Sequence, residues 1–331
     1  MPDEATGTQP RHSAKSLRRP PSAATLARLT SIVAPGGRVE TIRRLRGGIS
    51  SGMHAIDLVE QSGDRRRLIV RRYSDYQIRR DPDLCDREWQ TLTMLGRAEL
   101  PIPEPVWRDP TGLVFGVPAL VMTRLPGQGL MAPRDPVDWA RQLATTLAAI
   151  HRAPIAERDL TFLARKEAEL VEVFAKEPPA KDIAGHPDGA AIWAALRHWW
   201  PRLERTAPTI IHDDYWPGNT VWLRGRLTGV VDWEDTRWGD PGNDVGYCRS
   251  DISMLYGPSL SDVFLDAYES AAGREVSQVF FWDLLGTTGA LLELERWLPG
   301  YHELGRTDIT LDLMSSRLRA FIAGALARAG G

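Results

Sequence analysis

Nine consecutive residues, Ile211 to Asn219 (I-H-D-D-Y-W-P-G-N), are followed thirteen positions after Asn219 by Asp232 in V-V-D-W-E. They carry the side chains best suited to chemistry in this chain. Asp214 and Asn219 stand in a D-x-x-x-x-N spacing, and Asp232 closes an apolar run containing Leu227, Val230 and Val231. Transfer of a γ-phosphoryl group needs a carboxylate that orients and deprotonates the attacking hydroxyl, together with oxygen ligands for Mg²⁺ on the triphosphate. Two carboxylates and a carboxamide at these positions supply oxygen groups of that kind.

Such groups need elements to hold them. Val39 to Leu45, Met53 to Val59 and Leu68 to Tyr73 are short β-prone runs, and Gly47-Gly48-Ile49-Ser50-Ser51-Gly52 turns the first into the second. Glycines let backbone N–H groups approach phosphate oxygens, and Ser50 and Ser51 add hydroxyls; a ligand-free glycine hairpin has the same sequence. The loop lacks the G-K-[ST] ending of a P-loop. Arg71 follows the third run, and a helix is expected from Asp81 as N-cap with Pro82 in the first turn. Its apolar stripe of Leu84, Leu92 and Leu95 contains Glu88. A carboxylate buried there would need a cation, and Arg71 is the expected partner; otherwise Glu88 reaches water and Arg71 belongs to a surface strand. No lysine occurs between Lys15 and Lys166, so a phosphate-binding cation from this region must be arginine. Leu113 to Leu125 reads as a strand entering a Pro126-Gly127 linker, where backbone around Met122 to Leu125, with Thr123 and Leu125 as contacts, suits an adenine base.

The rest of the chain is helical in pattern. Asp135-Pro136 opens a helix with the stripe Trp139, Leu143, Leu147 and Ile150, and His151 beside it reads as a core or loop-anchoring residue. Further helices are expected near Leu163 to Ala175, Ala190 to Glu204, Leu260 to Ala272, Val276 to Leu298 and Leu311 to Ala327. Strands first and helices afterwards make an α+β pattern. Residues 1–24, rich in Pro, Ser, Ala and Arg, read as a disordered tail, 25–125 as an N-terminal nucleotide-binding lobe and 126–331 as a catalytic and substrate lobe.

At 331 residues the chain has room for two modest domains. A formal net charge of -2 gives no reason to expect nucleic acid as partner. The two cysteines, Cys85 and Cys248, suggest neither a disulfide framework nor a zinc site, which fits a reduced cytoplasmic setting. No apolar run has the length of a membrane span and no signal-peptide stretch is evident, so a soluble protein without a membrane partner is expected.

With these residues in place, the chain resembles the aminoglycoside phosphotransferase and choline kinase family of small-molecule kinases over about residues 40–325. The resemblance rests on His212, Asp214 and Pro217-Gly218-Asn219, on Val231-Asp232-Trp233-Glu234, and on Gly239-Asp240-Pro241 with Asp244. It implies a bilobal protein-kinase-like fold: a small antiparallel β-sheet lobe with one helix, and a larger, mainly helical lobe. It also implies ATP and Mg²⁺ as cofactors, Asp214 as catalytic base, Asn219 and Asp232 as metal ligands, and Arg71 with Glu88 as the phosphate cation and its partner. Asp244 would brace the catalytic loop by accepting backbone hydrogen bonds. Two positions depart from the family. Asp213 stands where glycine is usual, and two carboxyls facing one site would raise a pKa. Arg71 replaces the usual lysine and changes a point donor into a planar fork.

Between Asp232 and Gly239-Asp240-Pro241 there is too little chain for the peptide-binding activation segment of a protein kinase, which favours a small-molecule acceptor. From Asp232 to Asp308 fifteen acidic residues face five basic ones, an excess of ten negative charges. That excess suits an amine-bearing acceptor, or else belongs to solvated helix faces. The alternatives are a nucleotide-binding protein of this fold that has lost transfer, and one that transfers AMP.

Overall fold

A strand with one covered face buries every second residue, whereas β3 (Arg65–Tyr73) buries six in succession, Leu68 to Tyr73, and must be covered on both sides. A computed structural model describes residues 12–45, 50–176 and 181–330 of the chain. It divides into a unit ending at Leu125 and a second unit that begins at Pro126 and includes 97–101. In the first unit β1 (Arg38–Arg44), β2 (Ser51–Val59), β3, β4 (Pro105–Asp109) and β5 (Ala119–Thr123) form an antiparallel sheet in the order β1-β2-β3-β5-β4. Leu68 and Val70 face one way and pack with Ile56, Leu58, Val121 and Leu29 of α1 (Ala23–Val33). Arg71 and Tyr73 face the other way, towards Glu88 of α3 (Leu84–Leu95).

The sheet's α1 side holds a departure from expectation. Residues from His12 onward, assigned by composition to a tail, lie on it. Leu17 of a 3₁₀ turn at Ser16–Arg18 is buried, the Arg72 guanidinium donates to Leu17 O and Arg19 O, and Ser22 caps α1 by accepting from Thr25 N. Gly52 admits this segment: a Cβ there would lie 2.5 Å from Leu17 O. Gly47 and Gly48 of the expected phosphate loop lie outside the described residues.

Two boundaries also move. The helix expected from Asp81 starts at Leu84, after a separate α2 (Asp75–Arg80) held by a Ser74/Gln77 capping box. Pro82 disfavours the helical conformation at the residue before it, and Asp81 is extended. Only Ala119–Thr123 of the run from Leu113 is strand, because the Asp109 carboxylate gathers the amides of Leu113, Val114 and Phe115 into a turn.

The second unit is mainly helical: α4 (Pro136–His151), α5 (Lys166–Phe174), α6 (Lys181–Ala184), α7 (Gly189–Trp199), α8 (Gly242–Tyr256), α9 (Pro258–Ala272), α10 (Val279–Thr287), α11 (Leu294–Glu303) and α12 (Leu311–Ala329). Asp135 caps α4, accepting from Val137 N and Asp138 N, and the expected stripe is buried. The helix expected over Val276 to Leu298 is two, α10 and α11, parted by a stretch that contains Gly289. Helix α8 was not expected. Nearly every face of it is buried, polar residues included, so it has no stripe to read. Two small ribbons, β6 (Thr209–Ile211) with β9 (Arg237–Gly239) and β7 (Thr220–Leu223) with β8 (Arg226–Val230), carry the loops with Asp214 and Asp232. Among the described residues no helix is long and apolar enough to cross a membrane.

Candidate active site

The loop between β6 and β7 is fixed from behind. Asp244, in the first turn of α8, accepts the amides of His212 (2.7 Å) and Asp213 (2.8 Å) on its two oxygens, and its Oδ2 lies 3.0 Å from His151 Nε2. His151 Nδ1 lies 2.7 Å from the Tyr268 hydroxyl, so this histidine anchors the brace. Burial of Asp244 opposes ionisation, but the hydrogen bond and charge of His151, with His212, outweigh it and hold the carboxyl below its usual range. A second tie runs from His212 Nε2, which donates to Val231 O at 2.9 Å, next to Asp232. The His212 ring also packs on Trp233, with centroids 4.6 Å apart.

Within this frame Asn219 donates from Nδ2 to the backbone oxygen of Asp214 (3.0 Å) and to its Oδ2 (2.8 Å), while the Tyr247 hydroxyl donates to Oδ1 (2.9 Å). Each carboxylate oxygen has one fixed donor, which sets the plane of the group. Burial, and then the charge of Asp232, push the Asp214 carboxyl up to about 8, against the hydrogen bonds from Tyr247 and Asn219. Because the Asn219 nitrogen is spent on Asp214, its side-chain oxygen is left for another partner. Asp232 sits in the left-handed region at φ 70°.

Asp213 does not share a site with Asp214. Its φ is 64°, and its carboxylate meets Lys166 and Asn243 instead of Asn219 and Tyr247. Burial pushes it up to about 7, with Lys166 opposing and Asp244 adding to the rise. The left-handed backbone gives a physical reason for the glycine usual at this position.

One turn beyond Tyr247 on α8 is Asp251, buried and accepting the Tyr301 hydroxyl at 2.8 Å. Tyr301 meets the Trp216 ring edge-on, 5.9 Å between centroids. No spacing in the chain joins Tyr247, Asp251, Tyr301 and Trp216 as a group, since three separate elements bring them together.

In the first unit Arg71 Nη1 donates to Glu88 Oε1 at 2.7 Å, with the two side chains only 3% and 1% exposed, which is the pairing expected. Arg71 Nε reaches Ser51 Oγ at 3.4 Å, and Tyr73 donates to Glu88 Oε2 at 2.6 Å. Ser50 flanks Ser51, and Gly52 lies within β2 against Leu17. Thr123 has its amide on Glu104 O and its hydroxyl under Glu104 N, so both are committed within the unit, and Leu125 closes the unit as a partly buried residue.

The donor set suits Mg²⁺. A carboxamide and a carboxylate are hard oxygen ligands, and Mg²⁺ is commonly held by one or two carboxylates plus substrate phosphates rather than by a protein cage. Among the described residues there is no cluster of three or more His, Cys, Asp or Glu side chains able to hold a metal.

The sequence model of the phosphotransferase enzyme family matches residues 41–280. Solved structures share the protein-kinase-like α+β fold at low identity. A candidate aminoglycoside phosphotransferase of Ralstonia eutropha JMP134 has a TM-score of 0.62 at 16% identity, over 94% of this chain and 99% of that one. Aminoglycoside phosphotransferase APH(4)-Ia gives 0.59 at 14%, over 94% and 100%. Spectinomycin phosphotransferase APH(9)-Ia, solved with ADP and spectinomycin, gives 0.57 at 13%, over 95% and 99%. The mouse acyl-CoA dehydrogenase family member 10 is 23% identical over 194 residues, which are 55% of this chain and 18% of that protein, so the chain spans under a fifth of that relative's length.

Proposed function

We propose that this chain, which belongs to the phosphotransferase enzyme family, transfers the γ-phosphoryl group of ATP to a hydroxyl of a small, amine-bearing molecule. The observation that carries this reading is the arrangement around Asp214: a carboxylate whose two oxygens are each oriented by a fixed donor, Asn219 on one and Tyr247 on the other. Asp214 would align the acceptor hydroxyl and take its proton as that oxygen bonds to phosphorus and the bond to ADP breaks. Asn219 and Asp232 would hold Mg²⁺, which when bound neutralises charge on the β- and γ-phosphates. In the first unit Arg71, aligned by Glu88, would bind the phosphates, with Ser50, Ser51, Gly52 and the two loop glycines before them. Backbone near Thr123 and Leu125 would take the adenine.

The acidic excess after Asp232 is a poor guide to the acceptor. Asp240 caps the amides of Thr206 and Gly242, Asp244 braces the loop, Asp262 and Asp283 pair with Arg249, and Asp308 pairs with Arg306. What supports an amine is local: Asp251 with the rings of Trp216, Tyr247 and Tyr301, linked to Asp214 through Tyr247. The reading in which transfer is lost rests on Asp213 and on arginine in place of lysine at 71; the Asp213 carboxylate meets Lys166 and Asn243, and Arg71 keeps a carboxylate partner in Glu88.

The test is ADP release from ATP and Mg²⁺ with choline, spectinomycin or glucose as acceptor, and mass analysis of the product. Asp214→Ala should lower turnover by roughly 10²–10⁴-fold with nucleotide affinity little changed. Turnover retained in that variant removes the mechanism, and a product heavier by AMP rather than by phosphate removes the reaction.

A further inference from the structure

We propose that Lys166 is a positioning residue for the catalytic loop: by neutralising Asp213 it holds the loop in the backbone conformation that leaves Asp214 with Asn219 and Tyr247. The role rests on the phosphotransfer reading above. Asp213 is a non-glycine residue at φ 64°, a conformation with a steric cost that surrounding bonds must offset. Those bonds are specific. The Asp213 amide donates to Asp244 Oδ1 at 2.8 Å, Asn243 Nδ2 donates to Asp213 Oδ1 at 2.7 Å, and Lys166 Nζ lies 3.1 Å from each Asp213 carboxylate oxygen. The Lys166 and Asp213 side chains are 15% and 9% exposed, so neither charge is well served by water.

The fold makes room for this lysine. Lys166 opens α5, and its stem passes Gly239 of β9, where an added Cβ would lie 2.7 Å from Lys166 Cβ. Its ammonium also meets Glu169 at 3.1 Å, and Arg237 is a second cation acting on Asp213. The loop thus gathers three carboxylates, Asp213, Asp214 and Asp244. Asp244 is matched by two amides and His151, and Asp213 by Lys166 and Asn243. Without Lys166 the buried Asp213 carboxylate would lose its closest cation and be driven towards other donors of the loop or towards water, pulling on the peptide that orients Asp214. A chain with glycine at 213 has no such carboxylate to neutralise and no left-handed penalty. Lys166 and Asp213 therefore form a matched pair, in which the lysine is needed because of the aspartate.

That dependence sets the test, with ADP release from ATP and Mg²⁺ measured with water or choline as acceptor. Lys166→Met should lower kcat about tenfold or more with KM for ATP within about twofold. The double variant Lys166→Met with Asp213→Gly should recover kcat to within about threefold of wild type, whereas Lys166→Met with Asp213→Ala should not, since alanine keeps the left-handed penalty. Lys166→Arg, which retains the charge, should stay within about threefold and keeps the test open if the methionine variant fails to fold. A role in stability alone predicts loss of Tm without the kcat change or its rescue by glycine. Wild-type kcat in Lys166→Met, or a glycine double variant as slow as the single one, overturns the inference and leaves the phosphotransfer reading intact. A wild-type chain that releases no ADP with water, choline, spectinomycin or glucose overturns that reading, and this role with it.

Discussion

Asp213 and Asp214 are adjacent in sequence and have different partners in space. A positive φ at the first sends its carboxylate to Lys166 and Asn243, while the second is held by Asn219 and Tyr247. Repulsion between neighbours is therefore not what raises Asp214; burial and Asp232 do that. The same attention to partners applies to Asp251, where burial pushes the carboxyl up to about 7, partly offset by the Tyr301 hydroxyl. The unfolded value is about 3.9. A folded pKa above the unfolded one means that the contribution to stability is complete below about pH 4 and is lost as pH rises towards 7. Asp251→Asn removes that loss. The melting temperature of the wild type should fall relative to this variant between pH 5 and pH 8, by several degrees; parallel Tm curves would show that Asp251 does not titrate in this way.

At the scale of elements, α8 joins the loop that carries Asp214 to the helical core. It presents Asp244 to the loop, Tyr247 to Asp214 and Asp251 to Tyr301, while its other side packs on α10 at very short range. A Cβ at Gly286 would lie 2.7 Å from the Gly246 backbone, and one at Gly246 would collide with the Trp282 carbonyl. These glycines are required by close approach of two backbones rather than by an unusual φ. Gly246→Ala should cost about 1–3 kcal/mol or more of stability in chemical denaturation. It should also lower turnover, because the helix that must shift is the one carrying Tyr247. A variant as stable and active as wild type would contradict this packing. In the first unit the comparable device is the Arg71–Glu88 pair between β3 and α3, where Glu88→Ala should destabilise by about 3–5 kcal/mol, read from urea unfolding, since Arg71 would be left buried without its carboxylate.

At the scale of the molecule, the two units have separate cores, one of Leu29, Ile56, Leu58, Leu68, Val70 and Val121, the other built on α7, α8, α10 and α12. Leu58→Ala should cost about 2–5 kcal/mol in the first unit. Amide exchange should then accelerate in α1, β2 and β3 and stay unchanged in α8 and α10; uniform acceleration would mean that the cores unfold as one. Much of this organisation was legible in the chain. Alternating and striped apolar residues marked β1 to β3, α4 and α12, and the D-x-x-x-x-N spacing with the later aspartate marked the loop, because local periodicity and fixed spacing survive without tertiary contacts. Three features stayed hidden for one reason. Helix α8 is buried on nearly every face and so has no period, residues 12–22 are polar and proline-rich yet lie against Gly52 and Arg72, and Lys166 and Tyr247 reach the loop from distant elements. Sequence alone marked the groups whose chemistry suits phosphoryl transfer, and it determined the class of fold that holds them. Tertiary structure alone decided their partners, separating Asp213 from Asp214 and committing Asp240, Asp244, Asp262, Asp283 and Asp308 to caps and ion pairs, because a charge is assigned by what lies within a few ångströms of it and not by its neighbours in the chain.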